Sequence, residues 1–218
     1  MYNQIEIQNV DTPYSYKQNM WMIDGKPLTA YLEDMVKERA CEKLAVHKGT
    51  LSGLCPAGSG HMLFSYEREF VWELFNLDEN ICVPVLICED DLDFSCIVIV
   101  VKVRKTGKLI YWDYLGYLNH WDEKTAENYG ILCTESYTKE DWQEYGGTMA
   151  WETPGSSLWK QWISSHWEEE QKRRYANYVK PYLRSESCAE KIGDLNFCFE
   201  RTEYEKCVKQ AEELFGNL

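Results

Sequence analysis

The pattern of apolar and polar positions is densest between Ile81 and Tyr117, and the elements it predicts there organise the rest of the chain. Ile81-Cys82-Val83-Pro84-Val85-Leu86-Ile87-Cys88 is a short apolar run, followed by the acidic turn Glu89-Asp90-Asp91-Leu92-Asp93. The segment Phe94 to Val103 is the most hydrophobic of the protein and carries six β-branched aliphatic residues. Such side chains fit a pleated surface buried on both faces, so this segment reads as the central strand of a sheet. Its length and flanking charges are wrong for a bilayer span. Arg104-Lys105-Thr106-Gly107-Lys108 reads as a turn in which Gly107 is free to take positive φ. Leu109 to Leu118 then returns as the second arm of a hairpin, with aromatic rings at Tyr111, Trp112, Tyr114 and Tyr117.

Around this hairpin the pattern predicts further elements. Ile5 to Val10 alternates as a short strand, and Tyr14 to Ile23 alternates less regularly as a second one. Pro27 is placed to open a helix from Leu28 to about Leu44, with Leu28, Tyr31, Leu32, Met35, Val36 and Ala40 on one face. His47 to Met62, with four glycines and a proline, reads as a loop. Phe64 to Leu77 alternates in part and reads as a strand. Ile131 to Thr134 is a short apolar strand, and Thr138 is a candidate N-cap for a brief helix ended by Gly146-Gly147. A longer helix follows Pro154-Gly155, with Leu158, Trp159, Trp162, Ile163, His166 and Trp167 on one face and a stop or kink at Pro181. Leu195 to Phe199 reads as a strand. Thr202-Glu203-Tyr204-Glu205 reads as a capping box for a last helix, whose apolar face is Tyr204, Cys207, Val208, Ala211 and Leu214. Strands gather in residues 1–135 and helices in residues 136–218. The expectation is a single α+β domain over residues 1–218, with a central antiparallel or mixed sheet, helices packed on it and a helical C-terminal part.

Charge narrows the function. The net charge is −13, and residues 110–170 alone carry 12 acidic and 3 basic side chains. That balance argues against a nucleic-acid partner, which needs clustered Lys and Arg, and suits a basic protein partner. Seven of the nine tryptophans fall in the same window, interleaved with its carboxylates. Rigid aromatics ringed by charge are the usual makings of a protein-binding hot spot, although many such rings simply build a core. Trp142, among Glu140, Asp141 and Glu144, is the expected anchor, and Asp122, Glu123, Asp90 and Asp91 are further expected contacts. Nine cysteines, without a Cys-x-x-Cys pair and with several inside apolar runs, read as free thiols of a reducing cytoplasm. The opening residues show neither the basic start nor the apolar core of a secretory leader, and no segment reads as membrane-spanning.

Other chemistries are weaker on the residues. Gly58-Ser59-Gly60 lacks a third glycine and a preceding strand, and Gly107-Lys108 has no Walker context. Cys55 and His61 share a glycine-rich loop and are the candidate pair for nucleophilic catalysis. Asp91 and Asp93 could share a hard cation at a strand entrance, or belong to a solvated turn that keeps a sticky strand soluble. The cysteine spacings match no common structural zinc site. No cofactor and no resident metal are expected.

The acidic turn feeding an aliphatic strand, Asp90 to Val101, and its Tyr- and Trp-rich return resemble small acidic bacterial immunity proteins encoded beside polymorphic toxins. The resemblance covers roughly residues 20–135. It implies a cytoplasmic, non-enzymatic protein that neutralises a cognate, basic toxin; the enzyme built on Cys55 and His61, or on Asp91 and Asp93, is the alternative. Reversing Glu140, Asp141 and Glu144 to lysine is expected to slow association with such a partner, by roughly tenfold or more at low salt, and to flatten its salt dependence. Stopped-flow association at two ionic strengths checks this.

Overall fold

The computed structural model describes residues 2–39, 44, 51–94, 96–118, 157–184 and 189–216. It divides into two compact units, residues 1–120 with 184–218, and residues 121–183. The first unit is α+β. Its three-stranded antiparallel sheet contains β1 (Ile5–Asp11), β2 (Lys17–Ile23) and the two-residue β3 (Lys26–Pro27), in that order. A five-stranded antiparallel sheet runs β4 (Cys55–Pro56), β5 (Ile81–Ile87), β6 (Val98–Lys105), β7 (Leu109–Leu118) and β8 (Ala189–Glu200). Among the described residues, this unit holds α1 (Leu28–Arg39), α2 (Ser65–Asn76) and α6 (Arg201–Gly216).

The aliphatic segment is indeed central. β6 is the middle strand of five, and Val98, Ile99, Val100, Val101 and Val103 are all buried. The strand starts at Val98 rather than Phe94, because the chain from Cys88 to Ile97 is used to turn back. The hairpin to β7 forms as expected, but Gly107 does not take positive φ. Thr106 closes the turn instead: its N–H and hydroxyl donate to the Leu109 carbonyl at 2.9 and 2.8 Å. In β5, Pro84 has no N–H to donate, and the pairing with β6 shifts register between Pro84 and Leu86. The patch at Leu195 to Phe199 grows into the twelve-residue β8, which pairs along the whole of β7.

Three readings are corrected. Residues 64–77 are not a strand. Glu67, Phe70, Val71, Leu74 and Phe75 are buried at helical spacing, and α2 packs on β5. Lys105 caps the C-terminal end of this helix, donating from Nζ to the Phe75 and Leu77 carbonyls at 2.7 and 2.6 Å. The last helix starts at Arg201, and its first turn is capped by Glu200, which accepts from the Glu203 N–H at 3.0 Å, so Thr202 is not the cap. On its apolar face Phe215 is buried, whereas Leu214 points outward and is 39% exposed. α1 is described to Arg39, with Leu28, Leu32 and Val36 buried.

The core is aromatic. Trp21 of β2 meets Trp112 of β7 edge to face at 6.0 Å, Phe75 of α2 at 5.4 Å and Phe215 of α6 at 5.7 Å. Trp112 continues the cluster to Phe199 of β8 and Tyr204 of α6. One ring group thus joins both sheets and two of the helices.

The second unit is described over residues 157–183 and is helical. α3 (Ser157–Ser165) and α4 (Trp167–Arg174) are separated at His166, which pairs with the Ser165 hydroxyl at 3.0 Å and is only partly buried. A π turn over Tyr175–Val179 precedes α5 (Lys180–Arg184), which contains Pro181. The helix widens there rather than ending, consistent with the missing N–H of the proline. Leu158 and Trp167 are exposed. The expected strand at 131–134 and helix after Thr138 lie outside the described residues. No helix among the described residues is long and apolar enough to cross a membrane.

The Trp112 Nε1–H donates to the Tyr204 hydroxyl at 3.1 Å in the buried core. Tyr204→Phe removes that acceptor and leaves a desolvated indole N–H, so a loss of about 1–3 kcal/mol is expected in denaturant unfolding. Unchanged stability would show that the bond is replaced.

Candidate functional site

The site is built where β5 leaves the sheet. Cys88 follows the last residue of β5, and its N–H donates to the Ile97 carbonyl at 2.9 Å, which pins the two ends of the connection together. Between them the chain makes a tight turn. The Leu92 N–H donates back to the Cys88 carbonyl at 3.2 Å, with Leu92 at φ +53°. The Leu92 carbonyl in turn accepts from the Leu63 N–H at 2.8 Å. This geometry brings Asp91 over the neck, against both Cys88 and the returning Cys96. One ligand atom from each of the three lies within 4.8 Å of the other two.

Neighbouring elements complete the surroundings. Cys55 of β4 pairs with Ile87 across the sheet edge and lies beside Cys88 and Glu89. From the β1–β2 turn, the Tyr16 hydroxyl donates to Glu89 Oε1 and lies 3.9 Å from the Cys55 sulfur. Tyr14 is seated over Gly53, where any Cβ would collide with the phenol ring. The six described cysteines, Cys55, Cys82, Cys88, Cys96, Cys198 and Cys207, are free thiols.

The electrostatics of this corner are one-sided. Burial, then Asp91 and Cys88, push the Cys96 thiol up to about 12. Burial also raises Cys55, to about 11, against the hydrogen bond from Tyr16. Desolvation and then its bond to Glu89 hold Tyr16 well above the ordinary phenol value, and Tyr14 is raised by desolvation, Glu89 and Asp90. Among the described residues, the side chains acting on these four groups are the carboxylates Glu89, Asp90 and Asp91, the thiols Cys55 and Cys88, and for Cys55 the Tyr16 hydroxyl.

The structure sorts the expected residues. Asp90 and Asp91 are exposed on the turn. Glu140, Asp141, Trp142, Glu144, Asp122 and Glu123 lie outside the described residues. Asp91 groups with the sulfurs of Cys88 and Cys96, and Asp93 acts on the buried Glu67 of α2. Cys55 and His61 do not form a nucleophile–base pair. Cys55 is buried with a raised thiol and bonds Tyr16, while His61 is exposed with no hydrogen bond to it. The glycines between them serve packing instead. Gly58, at φ +84°, lies under the Trp72 ring, 2.9 Å from where a Cβ would stand, and Gly60 N–H donates to the Phe215 carbonyl at 2.6 Å. Of the rings in the acidic window, Trp112 is fully buried in the core, whereas Trp167 is 45% exposed.

No protein-family model matches the chain, and neither a curated protein nor a solved structure matches it. The site therefore stands on its own geometry.

Reading from sequence found the acidic turn but missed Cys88 and Cys96 as its partners. The signal present was Cys88-x-x-Asp91, the two-residue spacing that puts two ligands on one turn. The β1–β2 turn gave no sign that it would cover this corner. A concavity of about 320 Å³ at the same turn is lined by Asp11, Thr12, Pro13, Gln18, Thr29 and Glu33 among others. The Gln18 Nε2 donates to the Leu54 carbonyl at 3.1 Å, while its buried Oε1 has no partner among the described residues.

Glu67 supplies a pH signature. Burial, then the charge of Asp93, push its carboxyl from 4.5 up to about 8, against donation from the Phe94 N–H at 3.3 Å. Between those values the folded chain holds a proton that the unfolded chain releases. The stability this contributes is full below about pH 4.5 and is lost as pH rises through about 8. Glu67→Gln keeps the shape without the charge. Denaturant unfolding is expected to show the parent losing a few kcal/mol from pH 5 to pH 8.5, and the variant losing measurably less. Parallel pH slopes in the two proteins would remove Glu67 as the cause.

Proposed function

We propose that this protein is a non-enzymatic binding protein that covers a basic protein partner, in the manner of an immunity protein held against its toxin in the cytoplasm. The observation that carries this reading is an exposed aromatic and apolar pair set among carboxylates. Tyr14, 49% exposed, and Leu63, 63% exposed, border the turn that presents Asp90 and Asp91. Asp11 and Glu33 line the concavity at the β1–β2 turn, each paired with a lysine, Lys17 at 4.0 Å and Lys37 at 3.7 Å. Tyr offers large, rigid contact area at low entropic cost, and carboxylates around it reward Lys and Arg on the incoming surface. The acidic window at residues 110–170 extends the same charge in sequence.

The two kinds of residue are expected to act on different rate constants. Asp90→Lys, a change at the rim, slows association at low salt by roughly tenfold, whereas Tyr14→Ala, loss of an anchor, speeds dissociation by about 2 kcal/mol. The partner to use is the product of the neighbouring reading frame, with rates read on an immobilised surface at two ionic strengths. Protection of a host that expresses this product gives the biological readout. Binding that is insensitive to salt and to both substitutions would place the interface elsewhere, and absence of any complex would overturn the reading.

A further inference from the structure

We propose that Cys88, Asp91 and Cys96 form a binding site for one thiophilic divalent cation of the zinc class, with its fourth position open to solvent. The inference is independent of the partner proposed above.

The ligand set selects the metal. Two sulfurs and one carboxylate oxygen suit zinc, which takes Cys and Asp ligands tetrahedrally, and do not suit calcium or magnesium, which want oxygen shells. Zinc lies about 2.3 Å from sulfur and about 2.0–2.2 Å from a carboxylate oxygen, so its ligand atoms stand roughly 3.5–3.8 Å apart. The three donors here already lie within 4.8 Å of one another. Side-chain rotation closes the remaining gap.

The backbone holds this arrangement without help from an ion. The Cys88 N–H bond to Ile97 fixes the neck, the Leu92 N–H bond to Cys88 closes the turn, and Leu63 anchors its tip. Cys88 is 9% exposed and Asp91 is exposed, so the cluster has a sulfur-lined floor and an open mouth at its carboxylate. A site preformed in this way avoids ordering costs on binding.

The surroundings favour a cation as well. Cys55, Tyr14, Tyr16, Glu89 and Asp90 face the corner from β4, the β1–β2 turn and the acidic turn itself, and each is neutral or negative. Cysteine binds a zinc-class ion as the thiolate, so a thiol ligand gives up its proton when it takes the metal. Binding therefore exchanges protons for metal. The two thiols lose their protons to solvent as the cation forms two metal–sulfur bonds and one metal–oxygen bond, and the ion's two positive charges are balanced by the two protons released. Affinity rises with pH for that reason.

The test uses the full chain, reduced and dialysed against chelator, then titrated with Co²⁺ and separately with Zn²⁺. The expected result is one equivalent of Co²⁺ giving sulfur-to-cobalt charge-transfer absorbance and the visible bands of four-coordination, displaced by one equivalent of Zn²⁺. Two protons are released per ion. Cys88→Ser and Cys96→Ser each remove most of the charge-transfer band. Asp91→Asn keeps the band but weakens binding roughly tenfold or more, in line with the sensitivity of metal sites to their ligand sphere. Cys55→Ser leaves both unchanged. Circular dichroism of every variant confirms that it is folded, and a chelator-competition titration of the folded parent gives the affinity directly. A folded, reduced parent that binds Co²⁺ no better than the Cys88→Ser/Cys96→Ser double variant overturns the proposal. So does a charge-transfer band that survives the double variant.

Discussion

Everything in the α+β unit depends on the contact between Trp21 and Trp112. The first ring comes from the small sheet and the second from the large one, and they meet edge to face. Phe75 and Phe215 pack on Trp21, while Phe199 and Tyr204 pack on Trp112. Aromatic pairs of this kind add about 0.5–1.5 kcal/mol each beyond the area they bury. They also fix relative positions. With Trp21 seated, β2 lies beside β4, and the β1–β2 turn that precedes it is carried over the end of β5. Gln18, three residues before Trp21, ties the same strand to the Leu54 carbonyl.

That placement creates the acidic corner. The turn from Cys88 to Ile97 would present its carboxylates to water in any case, but Tyr14 and Tyr16 reach it only because β2 is held against the large sheet. Tyr16 engages Glu89 and Cys55, while Tyr14 stands over Gly53 near Cys55 and Cys88. Below the turn, Glu67 accepts from Phe94 and feels Asp93, so a buried carboxyl on α2 is linked to the same loop. Binding surface and thiol cluster are thus two sides of one ten-residue connection. Asp90 and Asp91 are exposed on it, and the Cys88 and Cys96 sulfurs lie at its two ends against Asp91.

The β6–β7 hairpin was legible because its information is local: a block of β-branched residues, a polar turn and an aromatic return leave a strand pair as the one good outcome. α2 was not, since its buried positions satisfy a partial alternation as well as a helical stripe. Only packing on β5 and capping by Lys105 choose between them. The glycine-rich loop misleads in a similar way. Its glycines suggested chemistry, yet Gly58 is small because Trp72, fourteen residues later, lies against it.

The sequence by itself determined the α+β class, the central place of β6, the helix opened near Pro27 and the acidic exposure of Asp90 and Asp91. These follow from periodicity, β-branching and charge, which act between residues close in the chain. The tertiary structure alone decided that Trp112 is core, that Cys55 bonds Tyr16 and that Asp91 turns toward Cys88 and Cys96. Each of those outcomes is set by the packing of strands distant in sequence or by the way a turn folds back on its own ends. Spacing along the chain carries neither, because the distance between two side chains is fixed by the fold and not by the number of residues between them.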